Sequence, residues 1–96
     1  MSSLEALRAK GAKIQAIAAR HGAGNVRVFG SVARGDAGAD SDVDLLLDIV
    51  GPTPPWFPGG LLNDLEQALG RKVDVVIARS LNPLLREVVL GEAVPL

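Results

Sequence analysis

Leu4, Leu7, Gly11, Ile14, Ile17 and Ala18 recur at spacings of three and four, the repeat of a helix with one apolar face. Ser3 is placed to cap its start, and Gly22, after His21, to stop it. The period then changes. Residues 25–29 (NVRVF) read as a short strand, and residues 41–49 (SDVDLLLDI) alternate over the length of a second. Between them GSVARG is bracketed by glycines and reads as a tight turn or a single turn of helix. Residues 51–60 hold four prolines and three glycines, so they form a loop. Helical spacing returns over 61–69, with Gly70 as its stop, and residues 72–78 (KVDVVIA) make a third strand. Residues 80–93 form a last helix, capped by Ser80 or Asn82, with Pro83 tolerated in its first turn. Helices alternating with three short strands predict a two-layer α/β fold around a small sheet. At 96 residues the chain has one core to build, so residues 1–96 are expected to be one domain.

Composition narrows the class. Apolar residues make up 48% of the chain, enough for a modest core and against wholesale disorder. The absence of cysteine excludes disulfides and thiolate metal sites and suits a reducing cytosol. Charges are scattered through the N-terminal residues, unlike a signal peptide, and no apolar run approaches the roughly 20 residues of a membrane span. A soluble, cytoplasmic protein is expected. The net charge of −1 carries no footprint for duplex nucleic acid, which disfavours direct nucleic-acid binding.

The charge is uneven, and the unevenness points to chemistry. Asp36, Asp40, Asp42, Asp44 and Asp48 crowd into residues 28–49, beside the most hydrophobic run of the chain. Side chains at i and i+2 of a strand share a face. Asp42 and Asp44 therefore project together, while Val43, Leu45, Leu47 and Ile49 point to the core. In the third strand Val73, Val75 and Ile77 face inward and Asp74 lies opposite them; if that strand neighbours the second, Asp74 joins the pair. Two carboxylates about 5 Å apart repel by on the order of 3 kcal/mol at an effective dielectric near 20, so such a cluster invites a cation. All-oxygen ligands with positions left open for phosphate describe Mg²⁺, and two such ions suit phosphoryl or nucleotidyl transfer.

Upstream, Gly30 and Ser31 follow directly on the first strand, where a glycine admits a phosphate close to the backbone and amides and a hydroxyl can donate to it. Arg34 offers either a phosphate contact or an ion pair to Asp36 or Asp40. The Gly-Lys-Ser/Thr ending of a Walker A loop is absent. An EF-hand fails too, since Leu45 stands where its glycine belongs and Gly51 where its glutamate belongs. Asp36, Asp40 and Asp48 read as turn formers or solvated charges, and Arg71 with Lys72 as a solvated pair. His21 suits a helix C-terminus better than catalysis. Trp56 and Phe57 either fold back over the sheet or stand exposed as an anchor for a partner.

The stretch GSVARGDAGADSDVDLLL followed by KVDVV resembles the nucleotidyltransferase superfamily that includes DNA polymerase β. Its pattern is Gly-Ser, Arg-Gly, Ser-Asp-x-Asp-hydrophobic, then a third carboxylate on a later strand. The chain is similar to the minimal nucleotidyltransferases, which are little more than that core, and the likeness runs from the first helix to the C-terminus. The resemblance implies a mixed sheet flanked by helices, Mg²⁺ and a nucleoside triphosphate. Gly30 and Ser31 would hold the triphosphate, Arg34 would contact phosphate, Asp42 and Asp44 would bind both metals, and Asp74 would complete the site and help deprotonate the acceptor hydroxyl. Minimal members are often encoded beside a small helical HEPN-type toxin, a ribonuclease, as its antitoxin, and some transfer AMP from ATP to a tyrosine of that partner. The resemblance thus implies an adenylyltransferase acting as an antitoxin. The alternative is a non-catalytic module that neutralises a toxin by binding it.

Overall fold

The computed structural model describes residues 3–36, 38 and 41–96. Asp40 lies outside them. The chain runs α1 (Ser3–Ala9), α2 (Gly11–Arg20), β1 (Ala23–Phe29), α3 (Gly30–Arg34), β2 (Val43–Ile49), α4 (Gly59–Leu69), β3 (Val73–Ile77), a 3-10 turn (Ala78–Ser80), α5 (Pro83–Glu92) and β4 (Val94–Pro95). The strands lie in the order β3-β2-β1-β4. β1 is antiparallel to both β2 and β4, and β2 is parallel to β3, which makes the sheet mixed. The expected fold class is the one observed. Among the described residues no helix is long and apolar enough to cross a membrane.

One face of the sheet carries the core. Val43, Leu45 and Leu47 of β2 are fully buried there with Val26 and Val28 of β1, against Ile14 and Ile17 of α2 and Leu61 and Leu65 of α4. Val73, Val75 and Ile77 join from β3, as the alternation predicts. Ile49 departs from it: at the end of its strand it is only half-buried and outside that cluster. Leu46 points to the opposite face and is fully buried as well. α5 packs against β1 and α3, yet none of its own residues is fully buried.

Three elements differ from expectation. The single first helix is two, because Lys10 leaves the helical conformation, its amide closing a short turn on the Leu7 carbonyl while its carbonyl accepts from Ile14 to start α2. Gly11 follows, a residue about 1 kcal/mol poorer than alanine in a helix, and a Cβ there would press to 3.1 Å from the backbone of Leu96. The fourth strand, two residues long, is too short to show a period; as an edge strand it accommodates Pro95 opposite Arg27. α4 begins at Gly59, two positions early, with the Leu62 amide bonding the Pro58 carbonyl. In the loop before it the two aromatics part company. Phe57 packs on the core, and Trp56 is 66% exposed.

Candidate active site

β1 ends at Phe29, which pairs with Asp44 across the antiparallel ladder, and the chain turns at once into α3. Gly30 makes that turn at φ +72°, a conformation side chains rarely adopt, and a Cβ there would overlap the Asp44 carboxylate. The glycine-serine turn and the second aspartate of the Asp-x-Asp pair are therefore in contact. α3 is one helical turn, stopped by Gly35 in the left-handed conformation. The Ser31 and Val32 carbonyls accept from the amides that follow it.

The parallel register of β2 and β3 sets Asp74 directly opposite Asp44. Neighbouring strands lie about 4.8 Å apart, so the third carboxylate is a neighbour of the second, as the sequence predicts if the strands adjoin. Asp42 stands at the threshold of β2, exposed, and Asp44 is half-buried. Burial first, then the charges of Asp74 and Asp42, hold the Asp44 carboxyl above the usual carboxylate range; Arg34 pulls it the other way. The three acids are thus electrostatically one group. Among the described residues, no three His, Asp or Glu side chains close on one point as a ready cage. An all-carboxylate donor set whose central member is repelled by its neighbours is nevertheless one that a hard divalent cation fits, since the cation would remove the repulsion.

Arg34 is half-exposed and occupied. It donates to Asp36 at 3.3 Å and to Glu92 at 3.0 Å. Asp36, then Glu92, raise its pKa. Of its two expected roles the ion pair is realised, with Asp36 and with a partner the sequence did not suggest. Glu92 Oε1 also accepts from the Gly30 amide at 3.2 Å. No motif marks Glu92; it is an isolated acid at the end of α5, and only the fold brings it to the turn.

The remaining charges are assigned by contact. Arg71 is not a solvated charge: its guanidinium donates to the Ser41 carbonyl at 2.6 Å and, more weakly, to that of Gly38. With the Val43 amide bonded to the Lys72 carbonyl, it ties the segment ahead of Asp42 to the entry of β3. Asp48 pairs with Arg27 at 2.9 Å and accepts from Asn25 at 2.8 Å. Asn25 first, then Arg27, keep its carboxyl below the usual range against a cost of burial. His21 bonds Asp64 at 2.8 Å and so serves the contact of α2 with α4.

The structure thus brings together a glycine-serine turn after a strand, an Asp-x-Asp pair at the start of the next strand and a third aspartate in register beside it. The chain belongs to the nucleotidyltransferase domain family, whose model matches residues 13–96. It is a nucleotidyltransferase of the minimal kind. A solved structure named as a minimal nucleotidyltransferase is 50% identical, with a TM-score of 0.84 over 100% of this chain and 97% of its own. Protein adenylyltransferase MntA of Thermococcus cleftensis is 41% identical over 76 residues, 78% of this chain and 76% of that protein. A Methanocaldococcus jannaschii protein provisionally named a protein adenylyltransferase is 37% identical over 82 residues, 85% of this chain and 88% of its own. A toxin–antitoxin structure with AMP-PNP shares the fold at 23% identity, with a TM-score of 0.74 over 88% of this chain and 70% of that one.

Proposed function

We propose that this chain transfers AMP from ATP, with Mg²⁺, to a hydroxyl of a partner protein, and that the partner is a toxin it silences. The observation that carries this reading is the register of Asp44 with Asp74, with Asp42 beside them and the Gly30–Ser31 turn in contact. Relatives named protein adenylyltransferase, and the toxin–antitoxin neighbour with AMP-PNP, support the donor and the kind of partner. The acceptor we favour is a tyrosine of a HEPN-type toxin.

In this reading Asp42, Asp44 and Asp74 would hold Mg²⁺, which would supply positive charge against the triphosphate and lower the pKa of the acceptor hydroxyl. The Gly30–Ser31 turn would hold the triphosphate, Gly30 by the close approach its missing side chain allows and Ser31 by its hydroxyl, and Arg34 places a positive charge beside Asp44. Asp74, exposed at the strand edge, accepts the proton of the hydroxyl. The acceptor oxygen then bonds to the α-phosphorus as the bond from that phosphorus to the bridging oxygen breaks, and pyrophosphate departs. Preorganised charge at the reacting phosphorus supplies the catalysis.

A second reading is a module that neutralises a toxin by binding alone. It draws on α5, where Leu84 is 86% exposed and Leu85 and Val88 more than half exposed, and on Trp56. One experiment separates the two. The chain is incubated with the product of its neighbouring gene, ATP and Mg²⁺, and intact masses are recorded beside an Asp42→Asn/Asp44→Asn control. Gain of AMP units on the partner, absent with the control, is expected. A tight complex with unchanged masses would favour the binding module instead.

A further inference from the structure

We infer that Glu92 is a positioning residue for the nucleotide turn, acting through Arg34 and the Gly30 amide; the inference rests on the nucleotidyltransferase reading given above. The carboxylate reaches two groups that are remote in sequence, 62 and 58 positions away. One oxygen serves both, and Glu92 is the better shielded half of its ion pair, 30% exposed against 50% for Arg34.

The first amides of a helix have no partner within it. α3 has no side-chain cap of its own, since Phe29 stands at its N-cap. Glu92 supplies that cap from another element, with a charge-assisted bond. It leaves the Ser31 hydroxyl, which makes no hydrogen bond among the described residues, to the nucleotide. The second bond fixes Arg34, which Asp36 alone would hold through a longer contact. Arg34 is a cation whose charge acts on Asp44. Glu92 therefore sets the turn and the counter-charge of the carboxylates at once.

The test is the dissociation constant of ATP in the presence of Mg²⁺, measured by NMR titration, for the unaltered chain and for Glu92→Ala, Glu92→Gln, Arg34→Ala and the Glu92→Ala/Arg34→Ala double variant. Circular dichroism establishes that each is folded at the temperature used. Glu92→Ala and Arg34→Ala are each expected to weaken ATP binding by about tenfold, and the double variant by no more than the worse single, because the two residues act as a unit. Glu92→Gln keeps an acceptor for the Gly30 amide and stays within about threefold. A loss in the double variant equal to the product of the singles would overturn the coupling. Unchanged or tighter binding by Glu92→Ala, while the unaltered chain binds ATP, would overturn this inference alone. Absence of ATP binding by the unaltered chain would overturn the nucleotidyltransferase reading and this inference with it.

Discussion

Gly30 carries two constraints at one position, and either alone would resist substitution. Its φ of +72° costs an L-residue on the order of 1 kcal/mol, and the space a Cβ would need is held by the Asp44 carboxylate. Alanine must therefore either unwind the turn or expel Asp44. Gly30→Ala is expected to lose roughly 2–3 kcal/mol, read as a drop in the thermal midpoint, and to lose AMP transfer. Asp44→Asn runs the other way. A carboxyl whose pKa is raised by folding stabilises the fold below its unfolded pKa and costs stability as pH rises through its folded one. At neutral pH without divalent metal, then, the amide should melt about 2 °C higher, a small gain because Asp44 is half-exposed and solvent screens it. Transfer should nonetheless be lost. A protein that becomes more stable as it becomes inactive marks a residue kept for its chemistry.

At the level of elements, α5 is held by its ends. Asn82 caps it by accepting from the Leu84 amide, Pro83 occupies the first turn, and Glu92 ties the last turn to α3. With no fully buried residue between, its N-terminal half is expected to open independently of the core. Asn82→Ala removes about 1 kcal/mol from the helix. The expected result is faster amide exchange over 84–88 with a thermal midpoint unchanged to within about 1 °C; a large fall in the midpoint would show that α5 folds with the core. This division also explains what the sequence disclosed. Val43, Leu45 and Leu47 alternate with Asp42 and Asp44, so strand, face and candidate ligands were legible together. The pairing of Asp74 with Asp44 was legible only on condition that β3 adjoins β2. The contacts of Glu92 and Arg71 were not legible, because a long-range side-chain bond leaves no period and no fixed spacing. The break at Lys10 and the two-residue β4 were missed for related reasons: an apolar stripe continues across the one, and the other is shorter than any repeat.

For the molecule as a whole, two aspartates four residues apart on β2 set opposing slopes of stability with pH. Asp48 has its pKa lowered by Asn25 and Arg27, so its contribution is present above the ordinary carboxylate pKa of about 4 and is lost as pH falls through the folded value. Asp44 has its pKa raised, so its cost begins near the same pH and is complete above its folded value. Without divalent metal, the thermal midpoint should therefore rise slightly as pH is lowered from 7 through the folded pKa of Asp44, as Asp44 takes up its proton. It should fall again below about 4, as Asp48 loses its advantage. Mg²⁺ at neutral pH would neutralise what protonation neutralises. At ten times its dissociation constant it stabilises by about 1.4 kcal/mol, and the rise on acidification should vanish. In Asp44→Asn both the rise and the response to Mg²⁺ should be absent, while the acid limb remains because Asp48 is untouched. If Mg²⁺ raised the midpoint of Asp44→Asn as much as that of the unaltered chain, the cation would be bound elsewhere, and the three-aspartate site would lose its principal support. Melting curves at four values of pH, with and without Mg²⁺, decide this before any acceptor protein is in hand.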